Sequence, residues 1–241
     1  MQGGGHLKGS LVGKAQQERI QQALSALGDP AYFNELYGME DKPVLLYAMG
    51  DGNHSLATAK TYYEELKAAH PDEDLSDHPA RYALIELVNL HSPALEFEAI
   101  HRILTGVSPE HLMQEMTQTL GLVPADGNES SDAQIITAVQ AGCKKAYVIT
   151  RPTSKLTVGS LQTFLDAYVK AQGCGIDYIH GEQVIMDLSM KADSIGFLLP
   201  DMGKEELYPT VIVDGALPRK TFSMGHAQDK RFYMECRRIV R

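Results

Sequence analysis

Residues 44–66, VLLYAMGDGNHSLATAKTYYEEL, change their hydrophobic period across a glycine-rich turn. The apolar run 44–49, preceded by Pro43, suits a buried strand. Gly50 to Asn53 read as a turn. Over residues 54–70, Leu56, Ala59, Tyr63 and Leu66 fall on one helical stripe. A strand that passes through glycines into a helix is a building unit of α/β chains, and it limits what the rest of the chain can form.

The remaining segments continue that alternation. Residues 15–27 read as a short amphipathic helix stopped by Gly28-Asp29-Pro30. Residues 82–90, YALIELVNL, are apolar enough for a central strand, and 97–104 alternate as a strand does. Ser108-Pro109-Glu110 opens a helix, with serine as N-cap and proline at the first helical position. Helices are expected at 132–141, 161–171, 182–190, 204–213 and 227–238, and strands at 146–150, 176–179 and 194–199. The fold class is therefore α/β to α+β, a mixed sheet with interleaved helices. The polar loop at 124–131 divides the chain into a 1–125 portion, which carries the glycine turn, and a 126–241 portion packed on it; a single compact unit also fits.

With 241 residues, 44% hydrophobic and 22% charged, the chain can build a core without staples. Its net charge of −9 argues against nucleic acid and against an anionic membrane as general partners. No apolar run approaches the ~18 residues of a membrane span. Cys143, Cys174 and Cys236 lie far apart with no CxxC pair, which suits a reducing, cytoplasmic setting. A small-molecule or nucleotide ligand fits this balance better, and a homo-oligomer is compatible with it.

Three groups of residues can carry chemistry. In the first, Gly50 and Gly52 let the backbone approach a ligand closely. The helix that follows offers N–H groups to a phosphate or carboxylate, with Asn53 and Ser55 as added donors. Asp51 can hold a metal ion or a hydroxyl, and His54 can serve as a general acid-base group. The plainer alternative is a tight turn with Asn53 or Ser55 as the N-cap. The spacing is neither GxGxxG nor GxxxxGK[ST].

The second group is the 217–225 segment LPRKTFSMG, where Arg219 can grip a phosphate with two donors and Lys220 can add a point charge. A solvated basic turn is the alternative. In the third, Glu96 and Glu98 share one strand face with Arg102, and His101 lies beside them; together they could hold a metal or substrate. An exposed polar strand face is the alternative there. His180-Gly181-Glu182 forms a further turn after a strand. His54, His101 and His180 have no i, i+4 pairing that would mark a helical metal site, and the Gly-x-Ser-x-Gly of a serine hydrolase is absent.

The segments MGDGNHSLATAK, HPARYALIELVNLHSPALEFEAIHRIL and LPRKTFSMGHAQDKRFYMECR together resemble the bacterial family called domain of unknown function 1015. The chain resembles the C-terminal part of such proteins, beginning inside one and without their upstream region. That family is in turn distantly similar to the ParB and sulfiredoxin superfamily, which implies a ParB-like core around residues 43–105. In that superfamily a DGHHR turn binds nucleotide phosphates, and relatives similar to free-serine kinases transfer a phosphate to a hydroxyl. Asp51, Gly52 and His54 match the turn, while Asn53 replaces its first histidine and Ser55 its arginine. The resemblance implies a nucleotide with Mg²⁺ and a small-molecule phosphotransferase, with Asp51 and His54 as catalytic residues. The other readings are a nucleotide-binding regulatory module without turnover and a structural or interaction protein.

Overall fold

The computed structural model describes residues 6, 8–40, 42–50, 52–224, 236 and 238–240. The chain divides into two units, one running through Leu95 and the other from Glu96. The loop around residue 127 lies inside the second.

The first unit is helical. Helix α1 (Lys14–Leu27) is followed by α2 (Pro30–Tyr37), whose start and stop are local. The Asp29 carboxylate accepts from the Tyr32 N–H at 2.9 Å, Pro30 sits in the first turn, and Gly38 ends the helix in the left-handed region. Helix α3 (Asn53–Ala69) is tied to the acidic loop beyond it by the Tyr63 hydroxyl, which donates to the Leu75 carbonyl at 3.0 Å. Phe33, Leu75 and Ala80 are buried, whereas neither α1 nor α3 buries a residue.

Two expected strands are not seen among the described residues. Residues 44–49 and 82–90 carry no regular ladder, and Tyr47, Leu84, Ile85, Leu87 and Val88 are each more than half exposed. An apolar run suits a buried strand, and here these side chains are largely exposed.

The second unit holds the sheet. Among the described residues its strands are β1 (Phe97–Thr105), β2 (Leu122–Pro124), β3 (Ile135–Gln140), β4 (Cys143–Ile149), β5 (Gly175–His180), β6 (Ser194–Leu198) and β7 (Phe222–Met224). They lie in the order β2-β4-β3-β6-β1-β5, with β7 on the start of β1, and every pairing is antiparallel. The helices interleaved with them are α4 (Pro109–Leu120), α5 (Thr157–Gln172), α6 (Glu182–Leu188) and α7 (Leu207–Asp214). The class is thus mixed α/β, as the alternation of segments indicates.

Residues 132–141 are a correction to the expected pattern. Instead of a helix they contain β3, which returns to β4 through Ala141 (φ 48°) and Gly142 (φ 73°) with Gln140 opposite Cys143. Two consecutive left-handed residues make the tight hairpin whose twist matches the strands. Ile135, Ile136, Thr137 and Val139 favour the pleated surface over a helix. The expected 146–150 strand consequently begins earlier, at Cys143. The helix expected at 227–238 falls outside the described residues.

Strand β1 organises the unit. Ile100, Arg102 and Leu104 share one face with Phe197 and Ile195 of β6, and α5 lies on that face through Gln162. Ile103 points to the other face, where it clusters with Val139, Leu198 and Ile185 of α6. Close approach of α6 requires Gly196: a β-carbon there would collide with Ile185 Cγ2 and lie 3.6 Å from Val139 and 3.7 Å from Ile103. Leu104, Leu112, Met116, Ile136, Leu161, Leu165 and Phe197 are all below 2% exposed. Each such side chain stabilises by roughly 1.5–3 kcal/mol relative to exposure. Among the described residues, no helix is long and apolar enough to cross a membrane.

Candidate functional site

The glycine turn lies in the first unit. Gly52 is left-handed (φ 84°) and is the N-cap of α3, and its carbonyl accepts the Leu56 N–H at 2.9 Å. Glycine brings no capping side chain, so neither Asn53 nor Ser55 occupies the cap; both are in the first helical turn with His54, and all three are exposed. First-turn N–H groups have no partner within their own helix, and 17 residues of aligned peptide dipoles stand behind them. Gly50 precedes this start and Asp51 lies outside the described residues.

The basic loop lies in the second unit. Arg219 donates through Nη2 to Asp166 Oδ1 at 3.0 Å, and its guanidinium stands 5.5 Å from the centre of the Tyr178 ring. Lys220 follows with a left-handed backbone (φ 57°) and an exposed side chain, just before β7. Among the described residues Lys220 forms no ion pair.

Beneath the loop is a residue that sequence parity only touched. Arg102 is wholly buried on β1. Its Nε donates to Gln162 Oε1 at 2.8 Å, its Nη1 to the Ile100 carbonyl, and its Nη2 to the Arg219 carbonyl at 3.3 Å. The same guanidinium stands 4.8 Å from the Tyr178 ring centre, so one tyrosine receives two cations. No carboxylate contacts Arg102 directly among the described residues. Burial pushes its pKa down to about 10; Arg219 adds to the fall, and Tyr178 and Asp166 oppose it. The group still carries its charge at neutral pH. Gln162 passes the contact onward, since its amide nitrogen donates to Asp166 Oδ1 at 2.8 Å and to the Tyr178 hydroxyl at 3.2 Å.

The third group is split by strand parity. Glu96 precedes β1 and is exposed, while Glu98 stands 3.7 Å from His180 Nδ1 on the face of Arg102. His101 faces the other way. Its Nδ1 accepts the Leu199 N–H at 3.3 Å, and nearby Asp201 accepts the Ala99 N–H at 2.8 Å. Accepting at Nδ1 fixes the neutral ring with its proton on Nε2. Burial, the largest influence, lowers the His101 pKa, with Asp201 and Glu182 opposing it. Among the described residues no group of three or more His, Cys, Asp or Glu is arranged to hold a metal.

Gln162, Asp166 and Tyr178 were not evident as site residues in the sequence. Their signal is weak: a glutamine and an aspartate four apart on α5, of which the glutamine is buried.

A family model described as Protein of unknown function (DUF1015) matches residues 6–168, more than half of the chain. The chain belongs to this DUF1015 family. The match covers the glycine turn, β1 with Arg102, and most of α5, but stops before Tyr178 and the basic loop. No curated protein matches the chain. Among solved structures, a C-terminally truncated SbnI from Staphylococcus aureus is similar at 15% identity and a TM-score of 0.39. That alignment covers 57% of this chain and 53% of SbnI, so the DUF1015 chain spans about half of that structure.

Proposed function

We propose that the protein binds the phosphate of a nucleotide or of another small ligand at the turn that opens α3, and that it is a candidate small-molecule phosphotransferase. The observation that carries this reading is the start of α3 at a left-handed glycine, followed by an exposed polar first turn. Gly52 in the left-handed region leads into a long helix whose first turn exposes Asn53, His54 and Ser55. Support also comes from the resemblance of Asp51, Gly52 and His54 to the phosphate-binding turn of the ParB and sulfiredoxin superfamily. In this reading Gly50, Gly52, Asn53 and Ser55 hold phosphate oxygens. Asp51 holds Mg²⁺ or activates a hydroxyl, and His54 moves a proton. Phosphoryl transfer consists mostly of positioning and charge neutralisation, which such a turn can supply.

Calorimetric titration of the full chain with ATP, ADP and CTP, with and without Mg²⁺, tests the reading. Binding that is weakened by His54→Ala supports it; no binding, or an unaltered His54→Ala variant, removes it. Single-turnover phosphate release separates a phosphotransferase from a binding module. A second reading, an interaction protein, is favoured by the exposed run Leu84, Ile85, Leu87 and Val88, because contiguous apolar surface of this kind marks contact sites. It predicts no ligand response and a change in oligomeric state when Ile85→Glu is introduced.

A further inference from the structure

The ring of contacts under the basic loop closes on itself. Arg102 donates to Gln162, Gln162 donates to Asp166, Asp166 accepts from Arg219, and the Arg219 carbonyl accepts from Arg102. Within it, and with the adjacent Lys220, three cations face a single contacting carboxylate among the described residues. In a chain of net charge −9 this is a local positive excess. Two guanidiniums on one tyrosine ring repel each other, and a further anion relieves that repulsion. Arg219 and Asp166 are both more than half exposed, so an incoming anion can reach them, whereas Arg102 and Gln162 are buried and can act only as supports.

We propose that Arg219 and Lys220 form a phosphate-binding site. Asp166 holds one donor of the Arg219 fork, Nη2, and Arg102 with Gln162 are the positioning residues that hold the loop in place. This goes beyond the reading placed at the turn of Gly52 and does not rest on it. An arriving phosphate takes the exposed Arg219 donors from Asp166 and receives the Lys220 ammonium as a second charge. Asp166 retains the Gln162 amide as its donor, so it is not left unpaired. The hydrogen bond from Arg102 to the Arg219 carbonyl fixes the main chain that orients both cations.

The test is titration of the full chain with inorganic phosphate at constant ionic strength, with acetate as the carboxylate control. Arg219→Ala and Lys220→Ala are each expected to weaken binding about tenfold, the scale of one charge-assisted contact. Asp166→Asn is expected to tighten it several-fold, because it removes a competing anion; the loss of a merely structural ion pair would not do so. Arg102→Lys keeps the charge but loses the fork, and is expected to weaken phosphate binding with Lys220 intact; if that variant does not fold, Asp166→Asn decides. The inference is overturned if phosphate does not bind, if acetate binds as well, if Arg219→Ala leaves affinity unchanged, or if Asp166→Asn weakens it. Phosphate binding lost in His54→Ala but kept in Arg219→Ala preserves the α3 turn and removes this site. The reverse pattern preserves this site and removes the turn.

Discussion

The wholly buried Arg102 guanidinium donates through Nη2 to the main-chain carbonyl of Arg219, 117 residues later in the chain. This contact joins the middle of the sheet to the loop before β7. Among the described residues the cation is held by three oxygens and one aromatic face, not by a direct carboxylate partner.

Arg102→Met therefore removes more than a charge. It leaves Gln162 Oε1 and the Ile100 and Arg219 carbonyls without their donor, and a buried polar group left unsatisfied costs about 1–3 kcal/mol. Methionine recovers part of the packing. The expected net loss is about 3 kcal/mol, measured by urea denaturation followed by far-ultraviolet circular dichroism. A loss below about 1 kcal/mol would mean that the apolar stem of Arg102, not its hydrogen bonds, holds the position.

His101 gives the second unit an acid limit. Burial disfavours the imidazolium, so its folded pKa lies below the ordinary value of 6.5, despite the opposing fields of Asp201 and Glu182. The unfolded chain therefore takes up the proton first as pH falls. The stability contributed by the neutral ring is complete above 6.5 and is lost as pH drops from there through the folded pKa. Protonation also removes the lone pair that accepts the Leu199 N–H. Denaturation midpoints between pH 7.5 and 5 should fall for the wild type and fall less for His101→Gln. Equal slopes would remove His101 as the cause.

How much of this was legible in the sequence depends on what each feature needs. Capped helices were legible because their signals are local: Ser108 accepts the His111 N–H at the start of α4, and Gly121 ends it in the left-handed region, as the Ser-Pro start indicated. Residues 44–49 and 82–90 suit strands by their apolar runs, but burial is set by tertiary packing, and the described residues leave Tyr47, Leu84, Ile85, Leu87 and Val88 exposed without a ladder. The candidate site was half legible. Arg219 and Lys220 stand out as adjacent cations near glycine, and Gly52 as a turn residue. Gln162, Asp166 and Tyr178 join Arg102 only through the pairing of β5 with β1 and the placement of α5 across them. That is tertiary information.

The β3–β4 hairpin offers a stabilising change. Ala141 holds φ at 48° and is exposed, and a left-handed alanine costs about 1 kcal/mol that asparagine largely avoids. Its N–H donates to the Ser189 carbonyl at 2.9 Å, and a side-chain replacement preserves that bond. Ala141→Asn is expected to raise stability by about 0.5–1 kcal/mol. A thermal midpoint that stays level or falls would show that the turn does not carry this strain.

The opposite face of the sheet makes a stricter prediction, because the contact of α6 with β6 leaves no room. A methyl group at Gly196 meets Ile185 Cγ2 from above and has Val139 and Ile103 on either side, all of them fully or nearly fully buried. Gly196→Ala is therefore expected to cost about 2 kcal/mol through overpacking. Ile185→Ala alone opens a cavity and is expected to cost about 3 kcal/mol. In the double variant the added methyl lies where the isoleucine branch was removed, so the two losses should not add: the pair should be at least about 1 kcal/mol more stable than the sum of the single changes. Additive losses would show that Gly196 is required for the extended backbone of β6 and not for the approach of α6.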